Sequence, residues 1–419
     1  MARGRTSQRS ALGALSLQRA GVVYALVVIV VIFEAITVAE GLPPFLALAN
    51  VRNILNQTAI DGIMAVSMTV LLITGNFDLS VGATAGLAGA VGVTLVNSHG
   101  VVVGTLGALG VGLGVGLVNG GLVQGLGVSS FIVTLGSLTA LQGILLILTN
   151  GLDIAATNGA FSSIGTGDWT LWYPVAATVG VALVVYSVVH AIKKRRERGD
   201  ATGLVDNTSI VAAVVGVVVV AVGVGAPGLL TQTREGWILL AYMAVVAVVL
   251  RFTVVGRRVY AVGGNGEAAR LSGVRVARYK IGAFLLTSLS ASLAGLLYVG
   301  QFGAISPTAL VNEELFVLAA AILGGTSLFG GAGYVVKTVV GALILVSLTV
   351  GFGLVNLGTN YQYLVQGVVI IAAASVYTVA GRRRRTVTTA PEGAAPEEQA
   401  AQTFGEPAGV SQSNRLEGS

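Results

Sequence analysis

The stretch RRVYAVGGNGEAARLSG, residues 257–273, decides how the rest of the chain is read. It offers an apolar run, VYAV, then Gly264-x-Gly266-x-x-Ala269 and a helix-forming segment, the spacing of a glycine turn that cradles a dinucleotide. Such a turn works when a helix N-terminus meets a pyrophosphate within a βαβ unit, with an acid about 20 residues on to hold the ribose. Residues 285–300, LLTSLSASLAGLLYVG, carry no carboxylate. They begin a greasy segment of spanning length, and another precedes the stretch. The polar run is therefore a loop between two membrane helices.

Composition extends that reading to the whole chain. Of 419 residues, 54% are hydrophobic and 10% are charged, and the mean hydropathy is +0.86, a balance no soluble domain keeps in water. Crossing the hydrocarbon as a helix takes about 20 apolar residues. Runs such as VYALVVIVVIF and IVAAVVGVVVVAVGVGA are continuous, whereas a membrane β-barrel would alternate apolar and polar positions. The fold class is all-α and polytopic. The 59 glycines suit helices packed backbone to backbone, where no water-driven force operates between them. With no cysteine, disulfides, thiolate catalysis and Cys-ligated metal are excluded. His99 and His190 are the only imidazoles, and no metal site is expected. The net charge of +6 lies in blocks beside apolar runs, which fits lipid headgroups and topology and not nucleic acid.

About twelve apolar segments reach spanning length, centred near residues 30, 66, 88, 112, 139, 181, 217, 246, 290, 318, 344 and 371. Arg3, Arg5, Arg9 and Arg19 precede the first without an acid, which places the N-terminus in the cytoplasm. Alternation then puts the loops near 76, 126, 198, 268 and 328, and the C-terminus, on the same side. KKRRER (193–198), the 256–280 loop and RRRR (382–385) all fall there. Arg234 and Arg52 are the exceptions. The tenth segment, ELFVLAAAILGG, is short for a crossing and reads as a broken or re-entrant helix. The expected organisation is a basic N-terminus (1–20), a transmembrane domain (21–381) with cytoplasmic loops at 192–208 and 256–280, and a basic stop with a solvated tail (382–419) poor in bulky apolar residues. The first apolar run ends in TVAE but is too long for a signal peptide, so it is read as an uncleaved span.

A second phosphate-loop echo, GGAGYVVKT (330–338), has Val336 where glycine must precede the lysine. The 257–273 loop instead offers a short amphipathic helix with Glu267 near its start and Arg270 further on, the charge order a helix dipole favours. Glu267, Ala268, Ala269 and Gly273 match the EAA-x-x-x-G pattern by which bacterial ABC-importer permeases engage their ATPase subunits, without the more distal Ile-x-Leu-Pro. Together with NFDLSVGA (76–83), SSFIVTLGSLTALQGI (129–144) and ILGGTSLFGGAGYVVKTVVGALI (322–344), the order and spacing resemble the permeases of monosaccharide ABC importers for ribose, xylose and related sugars. The resemblance covers roughly residues 50–380. The pair of segments near 181 and 217, around KKRRERGDATGLVDN, is similar to the longer, xylose-type members. Phe329 stands where relatives often carry a smaller residue.

That resemblance implies a homodimer in the bacterial plasma membrane, a cytosolic ABC ATPase beneath it, an extracytoplasmic sugar-binding protein above it and a monosaccharide as cargo. It implies no catalytic site and no cofactor in this chain, ATP being bound by the partner subunits. It carries ATPase coupling onto Gly264, Asn265, Glu267, Ala268, Ala269, Arg270 and Gly273.

Substrate-path or gate candidates are Asp78, Asn119, Thr134, Gln142 and Asn150, polar residues in or near spans. An intramembrane charge costs about 2.5–3.5 kcal/mol on insertion scales and tends to be functional, although Asp78 is also placed to cap the third span and the others to hydrogen-bond between helices. Glu34 and Asp61 lie in apolar surroundings with no evident partner. The glycines of GGTSLFGG (324–331) allow a tight bend at the cytoplasmic mouth and read as a flexible link, with a gate as the alternative. Two other functions remain open: an ion-coupled secondary transporter, which needs carboxylates in the membrane, and a membrane redox enzyme binding nucleotide at 257–273.

Overall fold

A computed structural model describes residues 17–170 and 231–358, with scattered positions from 361 to 371. The expected spans near 181 and 217, the loop 192–208 and the tail 382–419 lie outside the described residues. The first apolar runs form α1 (Leu17–Ala39), α2 (Leu48–Ile73), α3 (Val81–His99), α4 (Val101–Gly125) and α5 (Ser130–Thr149). Strand β1 (Ile154–Ala155), helix α6 (Gly159–Thr166) and strand β2 (Asp168–Thr170) follow. From residue 231 come β3 (Thr231–Thr233), α7 (Arg234–Phe252), α8 (Val254–Gly264), α9 (Gly266–Leu271) and α10 (Val276–Phe302). The described chain continues through β4 (Ala304–Ile305), α11 (Glu313–Leu323) and α12 (Val335–Leu354). Among the described residues eight helices are long and apolar enough to cross a membrane: α1 to α5, α7, α10 and α12.

The side-chain pattern follows the position of each helix in the bundle. In α2 every residue from Gly62 to Ile73 is buried, so an all-round apolar sequence becomes the central helix. By contrast α1 leaves Val23, Val27 and Val31 exposed, a stripe at four-residue spacing for lipid. Helix α10 packs against α4, α3 and α2. Glycines allow that approach: a Cβ on Gly295 would collide with the Ala85 carbonyl, and one on Gly112 with Ser288 and Ser292. Between helices, Thr69 and Thr338 hydroxyls lie 2.7 Å apart and Ser67 bonds the Tyr242 hydroxyl, the polar links that bundles in lipid use.

The loops separate to two ends as the alternation requires. At one end Gly331 N donates to Ile73 O at 2.9 Å, and Gly330 lies against Gly75 and Gly263, so the loops near 76, 268 and 328 meet. At the other, β1 pairs antiparallel with β4 and Asn97 Nδ2 donates to Ala155 O. Positive charge assigns the first end to the cytoplasm. Glu34 has a structural role: its carboxylate accepts from Leu46 N at 2.8 Å, holding the outer turn against α1.

The segment near 318 is indeed no full crossing. At 11 residues α11 is about 16 Å long. The chain before it descends along α3: Ile305, Ala309 and Leu310 reach Gly89, Gly86 and Gly82 in turn. Helices α3 and α11 consequently begin side by side within the bundle, with the Glu314 carboxylate 2.9 Å from where a Gly82 Cβ would stand.

Candidate coupling surface and buried polar sites

The 256–280 loop is mostly helix. Thr253 Oγ1 caps α8 by accepting from Gly256 N at 3.2 Å, and Tyr260 OH donates to Gly333 O at 2.8 Å. At its far end Gly263 has no room for a side chain, because a Cβ would collide with Ile73 O. Asn265 then turns to β geometry and its Oδ1 accepts from Ala268 N at 2.9 Å, capping α9. The C-terminus closes as a Schellman motif: Val274 N bonds Ala269 O and Gly273 N bonds Arg270 O, with Gly273 at φ +81°.

The glycine of EAA-x-x-x-G is thus the residue that ends the helix. Ala269 is buried and roots α9, while Ala268 is exposed. Glu267 and Arg270 form an exposed i,i+3 pair at 2.7 Å, and Leu271 is 80% exposed. The result is a capped six-residue rod, fixed at its base and apolar at its tip, that directly precedes α10, which starts at Val276.

The GGTSLFGG loop departs from its expectation as a flexible link. Ser327 N bonds Ala332 O, Gly331 N bonds Ile73 O, and a Cβ on Gly331 would stand 2.9 Å from the Gly264 Cα. The glycines serve close backbone approach and positive φ at Gly325, Gly330 and Gly331, which clamps the loop to the root of α9.

Two of the five path candidates come together. Asp78, fully buried, accepts through Oδ1 from Ser80 N at 2.8 Å and Ser80 Oγ at 2.6 Å. This is an Asx turn and not a cap on the free amides of α3, whose N-cap is Ser80. Asn119 Nδ2 donates to Ser80 Oγ at 3.0 Å and Ser137 Oγ donates to Asn119 Oδ1 at 2.5 Å, so the turn, α4 and α5 share one chain of hydrogen bonds. Ser80 and Ser137 were not singled out in the sequence, since serine in a membrane helix carries no distinctive signal. Thr134 is buried and bonds Ser130 O within its own helix. Gln142 is half-buried further along α5. Asn150, exposed at φ +51°, is the left-handed C-cap of α5.

Asp61 has a partner 252 residues away in sequence, the carboxyl of Glu313 at the start of α11. Two carboxyls held together in apolar surroundings repel each other when both are ionised. The contact ties the central helix to the half-helix. Asp61→Asn offers a donor and is expected to leave thermal stability nearly unchanged. Asp61→Leu strands Glu313 and is expected to cost about 1–3 kcal/mol, read as a lower melting temperature of purified permease; equal melting for both variants would refute the tie.

A family model described as "Branched-chain amino acid transport system / permease component" matches residues 50–374. The xylose transport system permease protein XylH of Escherichia coli (strain K12) is 37% identical over 374 residues, 87% of this chain and 92% of that protein. The ribose import permease protein RbsC of the same strain is 34% identical over 335 residues, 80% of this chain and 87% of that one. XylH of Haemophilus influenzae is 35% identical over 364 residues, 84% and 95% of the two chains. No solved structure matches. The chain belongs to this permease family and is the membrane-spanning subunit of an ATP-binding-cassette importer, a multi-pass protein of the cell membrane.

Proposed function

We propose that this permease carries a pentose, xylose or ribose, and that a separate cytosolic subunit bound to α9 hydrolyses the ATP. In this reading the chain has no catalytic site or cofactor of its own, two copies form the pathway, and an extracytoplasmic protein delivers the sugar. The carrying observation is α9 itself: capped at both ends, rooted by Ala269 and presenting Leu271 to the cytosol, it is built to be gripped. The names of the relatives support the sugar, while the family description names branched-chain amino acids.

The test is uptake of labelled xylose by cells co-expressing the permease with its ATPase and binding protein. Competition by unlabelled xylose or ribose and none by leucine is expected; competition by leucine alone overturns the choice of sugar. Buried carboxyls, the Asp61–Glu313 pair, Asp78 and Glu235 among them, are what an ion-coupled carrier would also require. Uptake that collapses with an uncoupler while ATP is held constant would favour that carrier.

A further inference from the structure

Phe329 is 94% exposed at the tip of a loop whose backbone is clamped on both sides. Phe329 N donates to Ser327 Oγ at 3.2 Å, and the next residue, Gly330, is pressed between Gly263 and Gly75. A ring on a loose loop could fold back onto apolar surface, but this backbone holds it outward. The loop is anchored on Ile73, the fully buried end of the central helix α2, so the ring leaves the middle of the cytoplasmic end and not its lipid-facing rim. Gly331 meets Gly264, which directly precedes the Asn265 cap of α9. Phe329 and Leu271 are therefore two apolar projections from one rigid base.

We infer that Phe329 is a second anchor for the cytosolic ATPase that grips α9, seated in an apolar pocket of that subunit. This rests on the proposed function of α9. The exposed charges of residues 256–280 are Arg257, Arg258, Arg270, Arg275 and Arg278, with Glu267 already paired to Arg270, so a partner that covers this segment matches it with carboxylates at its rim. Two anchors fix the angle of the ATPase as well as its distance, which a single six-residue helix does not. Aromatic residues, Phe among them, are enriched in the buried cores of interfaces, and hot spots sit in well-packed, desolvated pockets.

The experiment titrates purified ATPase onto full-length permease in nanodiscs, alongside thermal melting of each variant. Phe329→Glu is expected to weaken binding by at least about tenfold, Phe329→Ala less, and Phe329→Leu to restore most of the affinity, all with unchanged melting of the permease. If Phe329→Glu binds as tightly as wild type while Glu267→Arg releases the ATPase, the second anchor is refuted and the role of α9 stands. If neither variant loses the ATPase, the reading of α9 fails too. The chain has no cysteine, so a fluorophore on the F329C variant reports one site. Quenching by brominated lipid in nanodiscs without ATPase would place the ring in the bilayer and overturn the inference; protection from aqueous quencher on adding ATPase is the result expected.

Discussion

Glu267→Arg is expected to cut ATP-driven transport sharply while leaving the amount of folded permease in the membrane unchanged. Glu267 sits on the outside of α9 with 64% of its side chain exposed, paired only to Arg270. Exposed pairs of this kind are worth about 0–1 kcal/mol, too little to decide folding. The change reverses the charge at the first turn of a helix whose dipole favours an acid there, on a face where the other exposed charges are arginines. A partner shaped to that face meets repulsion, which costs specific association far more than internal stability. Transport is expected to fall by at least about tenfold, with co-purified ATPase lost in proportion. Retained transport would remove α9 from the coupling path. Gly273→Ala separates the two roles of the motif. No atom lies within 4 Å of its added Cβ, but its φ of +81° strains any other residue by about 1–2 kcal/mol, so it frays the end of α9 without touching its exposed face.

Gly295→Leu is expected to have the largest effect on the fold. A Cβ there falls on the Ala85 carbonyl and within 3.1 Å of Gly89 N, so α10 and α3 must separate along the contact that seats both. Overpacking costs roughly 1–3 kcal/mol and more where backbones are the obstacle. In lipid no hydrophobic force pulls the helices back together. The separated α3 also carries Gly82 and Gly86, against which the chain descends to α11, so the half-helix loses its seat as well. The expected result is loss of monodisperse permease in mild detergent. Gly282→Ala on the same helix is the control: nothing lies within 4 Å of its Cβ, and replacing a helical glycine gains up to about 1 kcal/mol of propensity. Equal behaviour of the two variants would mean that glycine in α10 serves something other than close approach.

The contrast between Gly295 and Gly282 shows where sequence reading stops. Both are glycines in one apolar helix, and only the neighbouring helix distinguishes them. Asp61 is similar: it had no evident partner in the sequence, and it meets Glu313 because the chain before α11 dips along α3. Asn150 has a local role the sequence did not single out, as the left-handed end of α5. GGTSLFGG misled because glycine permits both flexibility and tight contact, and only the facing backbones at Gly75 and Gly263 choose between them.

From the sequence alone came the helical membrane class, the short helix around residues 266–271 and the short tenth segment. Hydropathy, charge and capping residues act over a few neighbouring positions, so they are written locally. Tertiary structure alone decided which glycines are contacts, that Asp78, Ser80, Asn119 and Ser137 form one hydrogen-bonded chain, that Asp61 meets Glu313, and that Phe329 stands beside α9. These depend on residues tens to hundreds of positions apart being brought together by helix packing. Inside a bilayer that packing is set by backbone fit between small residues; the buried Gly104, Ala108, Gly112, Gly116 and Gly120 of α4 recur every fourth position, but the chain alone does not say which helix they meet.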